Sequence, residues 1–289
     1  MIKGIALGFL AYGLFAFGDA AVKVLSGKLS VFEIGFFGAL FAGAVLPFMR
    51  PAGQRWRDAL RPKRPGLVML RAASGLLAGL LGIFAFTRLP FAEVYAIVFL
   101  APSFVTILSI LLLKEHVGWP RWAALPLGLA GVLLVVRPGF EAVAPAHFAA
   151  VGVALCTATT VLILRTLGPV ESRATLLAYA LAAAIIVNGA LMLPTFRWPT
   201  APEFLLLAAA GLLSATAQLG LMFATRLAAA SSIAPTQYSQ MVWAVAIGAI
   251  VFAEIPDQLA LAGIMLIIAS GAFAFLRQPP ARVTRGPSA

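Results

Sequence analysis

FTRLPFAEVYAIVFLAPSFVTILSILLLKE, residues 86–115, decides how this chain folds, because residues 224–254 read ATRLAAASSIAPTQYSQMVWAVAIGAIVFAE. Both stretches open on Thr-Arg-Leu (Thr87, Arg88, Leu89; Thr225, Arg226, Leu227), run through an apolar span and close on a glutamate (Glu115; Glu254). Glycines follow each, Gly128 and Gly131 after the first, Gly263 and Gly271 after the second. Arg88 to Glu115 is 27 positions and Arg226 to Glu254 is 28, a slip of one in a duplicated unit of about 140 residues. An internal repeat of this length sets the architecture before any single motif is read.

Composition places the repeat in a membrane. The chain is 62% hydrophobic and 11% charged, where a soluble domain carries about 45–50% and about 25%. A soluble core of 289 residues has no room for that apolar surface, so most of it faces lipid or neighbouring helices. The net charge of +11 would suit nucleic acid, but the basic residues lie in short gaps between apolar runs, which argues against such a partner. A lone Cys156 excludes a disulfide framework and a cysteine metal site, and His116 and His147 stand too far apart in the chain to build a zinc site. No GxxxxGK[ST], HExxH or GxSxG constellation is present. The sequence therefore predicts no metal, no cofactor and no enzymatic activity.

Runs long enough to cross a bilayer, roughly 17–25 residues, fall at 4–25, 29–49, 67–87, 90–113 and 120–136, then at 148–167, 173–194, 203–226, 228–252 and 258–276. The expected fold is an all-α integral membrane protein of ten transmembrane helices, arranged as two inverted five-helix repeats at 4–137 and 148–276, with a basic tail at 277–289. Lys3 ahead of the first apolar run, and Asp19-Ala20-Ala21 within it, mimic a secretory signal; removing that run would leave the first repeat one helix short. With the N-terminus inside, fifteen Lys/Arg fall on the inner side and four on the outer, so both termini are expected in the cytoplasm. The basic run 50–64 is the topology anchor, or alternatively a lipid-headgroup contact. Five spans per repeat invert the second copy. Inverted halves that rock about a mid-membrane site are a recurring design of secondary transporters.

With these residues on the page, the chain resembles the EamA-domain members of the drug/metabolite transporter superfamily. The resemblance rests on Thr-Arg-Leu before the fourth span, Glu115 and Glu254 closing it, and a small residue followed by Gly131 or Gly271 in the fifth. It covers about 4–276 and implies two EamA domains, a bacterial inner-membrane location and export of amino acids or similar metabolites. The chain is further similar to the aromatic amino-acid exporters of that superfamily. One departure is that Pro102 in the fourth span aligns with Met241 when the two glutamates are superposed.

Pro102 and Pro235 each remove a backbone hydrogen bond inside a span and should kink it, and freed carbonyls at membrane depth belong where protein or a water-filled path meets them. Ser232, Thr236, Ser239, Gln240 and Trp243 form a polar stripe on the ninth span, with Tyr238 beside it. Tyr95, Phe99, Pro102, Ser103 and Thr106 do the same on the fourth. Tyr12 and Phe15 on the first span, Thr157 and Thr160 on the sixth and Gln218 on the eighth are further substrate-facing candidates. Gly4 with Gly8, Gly38 with Ala42 and Gly75 with Gly79 are spaced for close helix contact. The alternative reading makes Gly75, Gly79 and Gly82 a sliding or bending surface on the third span.

Asp19 and Lys23, four apart on one face, should pair. With Glu33, Glu93 and Arg88 they form an outer-mouth network, or else Asp19 or Glu93 carries a coupled proton or anchors a substrate ammonium. Lys23 has a positional counterpart in Arg165, whereas Val161 stands where a second Asp19 would. The expected activity is alternating-access export of small amphipathic metabolites, amino acids foremost and aromatic ones among them. Another solute class, or a non-transporting membrane enzyme or scaffold, is the competing reading. The expected partners are a small-molecule substrate and membrane lipid; the oligomeric state is left open, and a monomer suffices.

Overall fold

A computed structural model describes residues 2–49, 55–114, 118–137, 142–168, 170–228 and 230–276. No strand occurs among them. The helices run α1 Ile2–Val24, α2 Val31–Met49, α3 Pro65–Phe86 and α4 Phe91–Leu113, then α5 Trp119–Val136. They continue with α6 Pro145–Leu167, α7 Arg173–Thr195 and α8 Ala201–Leu227, then α9 over 230–252 and α10 Gln258–Leu276. A short helix, Trp56–Ala59, sits between α2 and α3. Seven of these, α1–α4 and α6–α8, are long and apolar enough to cross a membrane, and α5 and α10 carry shorter apolar stretches, Trp122–Val136 and Gln258–Ala274. The chain is a multi-pass membrane protein.

Local chemistry starts and stops the helices. Ser30 accepts from the Glu33 amide while the Glu33 carboxylate accepts from Ser30 (2.8 Å), a capping box that opens α2. Ser172 caps α7 through the Thr175 amide. Prolines occupy the first turns of α3, α5, α6 and α8, where their missing donor costs nothing. At the other ends Lys114, Arg137 and Ala253 take left-handed backbone (φ 53°, 47° and 55°). For residues with a Cβ this conformation costs about 1 kcal/mol. The amides of Lys114 and Ala253 recover it in part by bonding the fifth carbonyl back, Ser109 and Gly248.

The two Thr-Arg-Leu motifs lie at helix ends, the first just past α3 and the second in the last turn of α8. Thr87 donates back to the Ile83 carbonyl and Thr225 to that of Met222, while Arg88 lies over the Phe84 ring and Arg226 over Phe223 (3.9 and 5.4 Å to the centroids). In packing, α1 runs along α8, α3 along α6 and α5 along α10; α2 touches α7 and α8, and α7 also touches α3. The α5–α10 crossing is close: a Cβ on Gly131 would meet the Gly263 carbonyl at 2.7 Å, and one on Gly263 would meet that of Gly131 at 2.6 Å. Gly131 is thus matched in space by Gly263, whereas Gly271 faces elsewhere. Gly4 and Gly8 pack on Ala228 and Thr236, but a Cβ on Gly79 would meet open space.

Large apolar side chains stand exposed along the helices, Ile250, Phe148, Leu111 and Met265 among them, as lipid-facing surface requires. Trp119 and Trp198, at opposite ends of the bundle, are 75% and 79% exposed, the placement of interfacial tryptophans.

Candidate functional site

Both prolines break their helices. α4 is interrupted between Val98 and Ala101, with Pro102 in the first turn of its second half. In α9 the short turn Ala230–Ile233 passes into a 3₁₀ stretch, Ala234–Tyr238, that carries Pro235, before Ser239–Phe252 resumes the α-helix. A cavity of about 330 Å³ lies against these two breaks, walled by the second half of α4, the 3₁₀ stretch of α9, and α5, α6 and α10. Phe99 and Tyr238, one from each break, stack at its closed end with ring centroids 5.3 Å apart and planes tilted by 35°. Polar groups along the wall include Ser103, Thr106, Thr157, Gln237 and Ser270. Several of these hydroxyls already donate to their own helix, Thr106 to Pro102 and Ser270 to Ile267, so they present lone pairs rather than stranded donors. Among the described lining residues Arg165, in the last turn of α6, is the charged one.

The opposite end of the bundle is shut. Lys23 pairs with the Glu254 carboxylate (2.6 Å) and donates to the Leu89 carbonyl (2.5 Å). The second Glu254 oxygen accepts the Phe91 amide at 2.7 Å, placing the carboxylate on the N-terminus of α4, where the helix dipole favours it. One knot thereby joins α1, the start of α4 and the end of α9. Beneath it Phe91, Tyr95, Met241, Ala244 and Ile247 form a continuous apolar core.

This pairing corrects the expected Asp19–Lys23 ion pair. Asp19 instead accepts the Tyr95 hydroxyl at 2.5 Å, and Lys23 turns to Glu254. Other expected members of the end network separate into local pairs. Glu93 meets His147 at 2.9 Å, Glu33 accepts the Arg197 amide at 3.1 Å, and Arg88 rests on Phe84. Arg137 pairs with Asp257, and that donor, with the Ala260 amide, holds the Asp257 carboxyl below its ordinary range. Glu115, His116, Arg50 and the basic tail 277–289 lie outside the described residues.

Of the sequence candidates, the structure brings Phe99, Pro102, Thr157, Pro235 and Tyr238 to the cavity, with Ser103 and Thr106. It does not bring the rest there. Tyr95 is buried against Asp19, Phe86 and Phe91; Tyr12 and Phe15 pair with each other on α1 (6.3 Å); Gln218 is exposed on α8. Thr236 is buried against Gly8, and Trp243 lies on Gly13 and Phe17. Gln240 is half-buried outside the lining.

On α9, Thr236 and Trp243 share a face that packs on α1, through Gly8 and through Gly13 and Phe17, while Gln237 and Tyr238 of the 3₁₀ stretch line the cavity. Pro235 was the available signal, since it marks where a uniform period stops.

A family model described as the EamA-like transporter family matches residues 2–137. The chain is 30% identical over 270 residues to the pseudopaline exporter of Pseudomonas aeruginosa, covering 92% of this chain and 93% of that one. It is 27% identical over 256 residues to the S-adenosylmethionine uptake transporter of Rickettsia conorii (88% and 86%). With the riboflavin transporter of Vibrio cholerae it shares 29% over 231 residues (79% and 77%). A crystal structure aligns with a TM-score of 0.68 at 20% identity over 94% of this chain and 96% of that one, a likeness of fold. These relatives are not aromatic amino-acid exporters, so the expected branch gains no support from them. Built as a polytopic helical bundle around two broken helices, the chain belongs to the EamA-like transporter family of the drug/metabolite transporter superfamily and is a membrane transporter.

Proposed function

We propose that this protein is a secondary transporter of small amphipathic organic solutes, working by alternating access between two inverted halves, 4–137 and 148–276. The observation that carries the reading is the asymmetry of the bundle: a solute-sized cavity of about 330 Å³ reaches the two helix breaks from the Arg165 end, while the Lys23–Glu254–Phe91 knot closes the other. Inverted topology is favoured by the packing. Shifting every helix by five places turns α1–α8 into α6–α3 and α2–α8 into α7–α3, and maps α5–α10 and α2–α7 onto themselves; all of these contacts are present. It is also favoured by matched acids. Glu33, at the start of α2, accepts the Arg197 amide, and Glu171, just before α7, accepts that of Arg64 (2.7 Å).

The basic side chains near Trp56 and at Arg64 point to a cytoplasmic Arg165 end, hence an inward-open conformation in a bacterial inner membrane with both termini inside. An aromatic pair ringed by hydroxyls suits a solute that joins a flat ring to a polar chain. S-adenosylmethionine and riboflavin, named for two relatives, have that chemistry. Amino acids meet it only where their side chain is aromatic. Because the relatives include both uptake carriers and an exporter, direction is left to the gradients across the membrane. Purified protein in liposomes should take up riboflavin, S-adenosylmethionine or tryptophan above empty vesicles and lose that flux on Ser103→Trp, which fills the cavity. Uptake that equals the empty-vesicle control for all three would remove the reading.

A further inference from the structure

Gly271 is half-buried on α10 and lines the cavity. A methyl group built on it would overlap the hydroxyl end of the Tyr238 side chain, with the hydroxyl oxygen nearest, Cζ next and ring carbon Cε1 2.5 Å away. Among the described residues no other glycine is overlapped so deeply by one side chain: at Gly8 the Thr236 hydroxyl would stand 2.6 Å off, and at Gly13 the Trp243 ring 3.2 Å. The ring that fills this notch is the one stacked on Phe99. The register that superposes Glu115 on Glu254 also superposes Phe99 on Tyr238, so the stack joins equivalent positions of the two repeats. On one side of it lies the cavity, and on the other the core of Tyr95, Met241 and Ile247.

We propose that Gly271 is a positioning residue of the transport path: its absent side chain is the notch that seats Tyr238 against Phe99, and the seated pair is the partition between the cavity and the closed end, on which a flat solute ring stacks. This rests on the cavity being the solute path. A Cβ at position 271 would take the space that the hydroxyl and Cζ of Tyr238 now fill against α10. The ring must then swing toward Pro102 and Ser103 and fill the cavity from its closed end.

The test reads cavity access without any transported solute, so its failure is separable from a failed flux assay. With Cys156→Ser as background, Ser103→Cys is introduced into the full chain in lipid nanodiscs, where both faces meet the reagent, and its labelling by a polar maleimide is timed. Gly271→Ala should slow labelling about tenfold, the size expected for overpacking a filled site. Adding Tyr238→Ala should restore the rate of Tyr238→Ala alone, a rescue that a merely structural glycine would not show. Labelling of Gly271→Ala at the parent rate overturns the proposal, and so does a double variant that stays slower than Tyr238→Ala. Should Gly271→Ala fail to fold, the double variant decides: recovery supports the notch, and continued misfolding assigns Gly271 to helix packing instead.

Discussion

Glu254→Gln tests the closed end directly. In the native chain this carboxylate takes the Lys23 ammonium on one oxygen and the Phe91 amide on the other. The amide of glutamine still offers an acceptor to Phe91, so the substitution removes chiefly the charge facing Lys23. The two side chains are 11% and 29% exposed, between the surface regime, where pairs contribute about 0–1 kcal/mol, and the buried one, where breaking a pair costs about 3–5 kcal/mol. A value of about 2 kcal/mol follows, which multiplies the opening equilibrium of that end by roughly thirtyfold. Ala244→Cys is the reporter, because Ala244 is fully buried in the core beneath the knot and reacts only when that end parts. In a Cys156→Ser background its maleimide labelling should accelerate by about that factor. Lys23→Met should act in the same direction, and the double variant should fall well short of the product of the two effects, since both remove one interaction. Acceleration below about threefold in Glu254→Gln would mean that the knot does not hold the bundle shut and that the apolar core alone does.

Other outcomes follow from the same geometry. Gly263→Val sets a branched side chain against the Gly131 carbonyl and should lower stability by about 1–3 kcal/mol, read as a lowered melting temperature in detergent, with Gly79→Val, which meets open space, as the silent control. If Asp19 carries a coupled proton, Asp19→Asn should make flux insensitive to an imposed pH gradient; an unchanged gradient dependence removes it from coupling. Asp257, held below its ordinary range by Arg137, contributes stability that is fully present above the ordinary aspartate value of about 3.9 and disappears as pH falls through its lower folded value. The melting temperatures of the native chain and Asp257→Asn should therefore differ at pH 7 and converge in acid.

The helices were legible because hydropathy alone demands them. Boundaries expected at 67–87 and 148–167 are found at Pro65–Phe86 and Pro145–Leu167, and the few extra residues begin at prolines that a first turn accepts. What hydropathy carries no information about is which polar groups meet across helices. Spacing on α1 paired Asp19 with Lys23, a contact worth a few tenths of a kcal/mol on an exposed helix. At membrane depth each group gains more from a partner that also lacks water, and the fold supplies Tyr95 for one and Glu254 for the other. The aligned glutamates did flag Glu254, but as a mark of ancestry rather than as the ligand of Lys23. The cavity was half legible for a related reason. Prolines located the breaks, yet the period along α9 does not say which face meets the cavity and which meets α1, where Thr236 and Trp243 lie.

The breaks and the knot belong to one mechanical problem. α4 begins at the Glu254 carboxylate and ends in the left-handed Lys114, while α9 ends in the left-handed Ala253. α4 is thus anchored at its start and interrupted in its middle, and α9 is anchored at its end and interrupted one turn from its start, so the segments can tilt about the breaks without unwinding at the anchors. The stack of Phe99 on Tyr238 sits where the two interruptions meet, and a small tilt of either half there separates two rings rather than a whole helix interface. Parting one aromatic pair forfeits about 0.5–1.5 kcal/mol beyond the area exposed, less than the Lys23–Glu254 interaction. In the proposed alternating-access cycle the knot, rather than the partition, would then set how often the closed end opens, and a solute ring stacking in place of one partner would offset part of the cost of parting the pair.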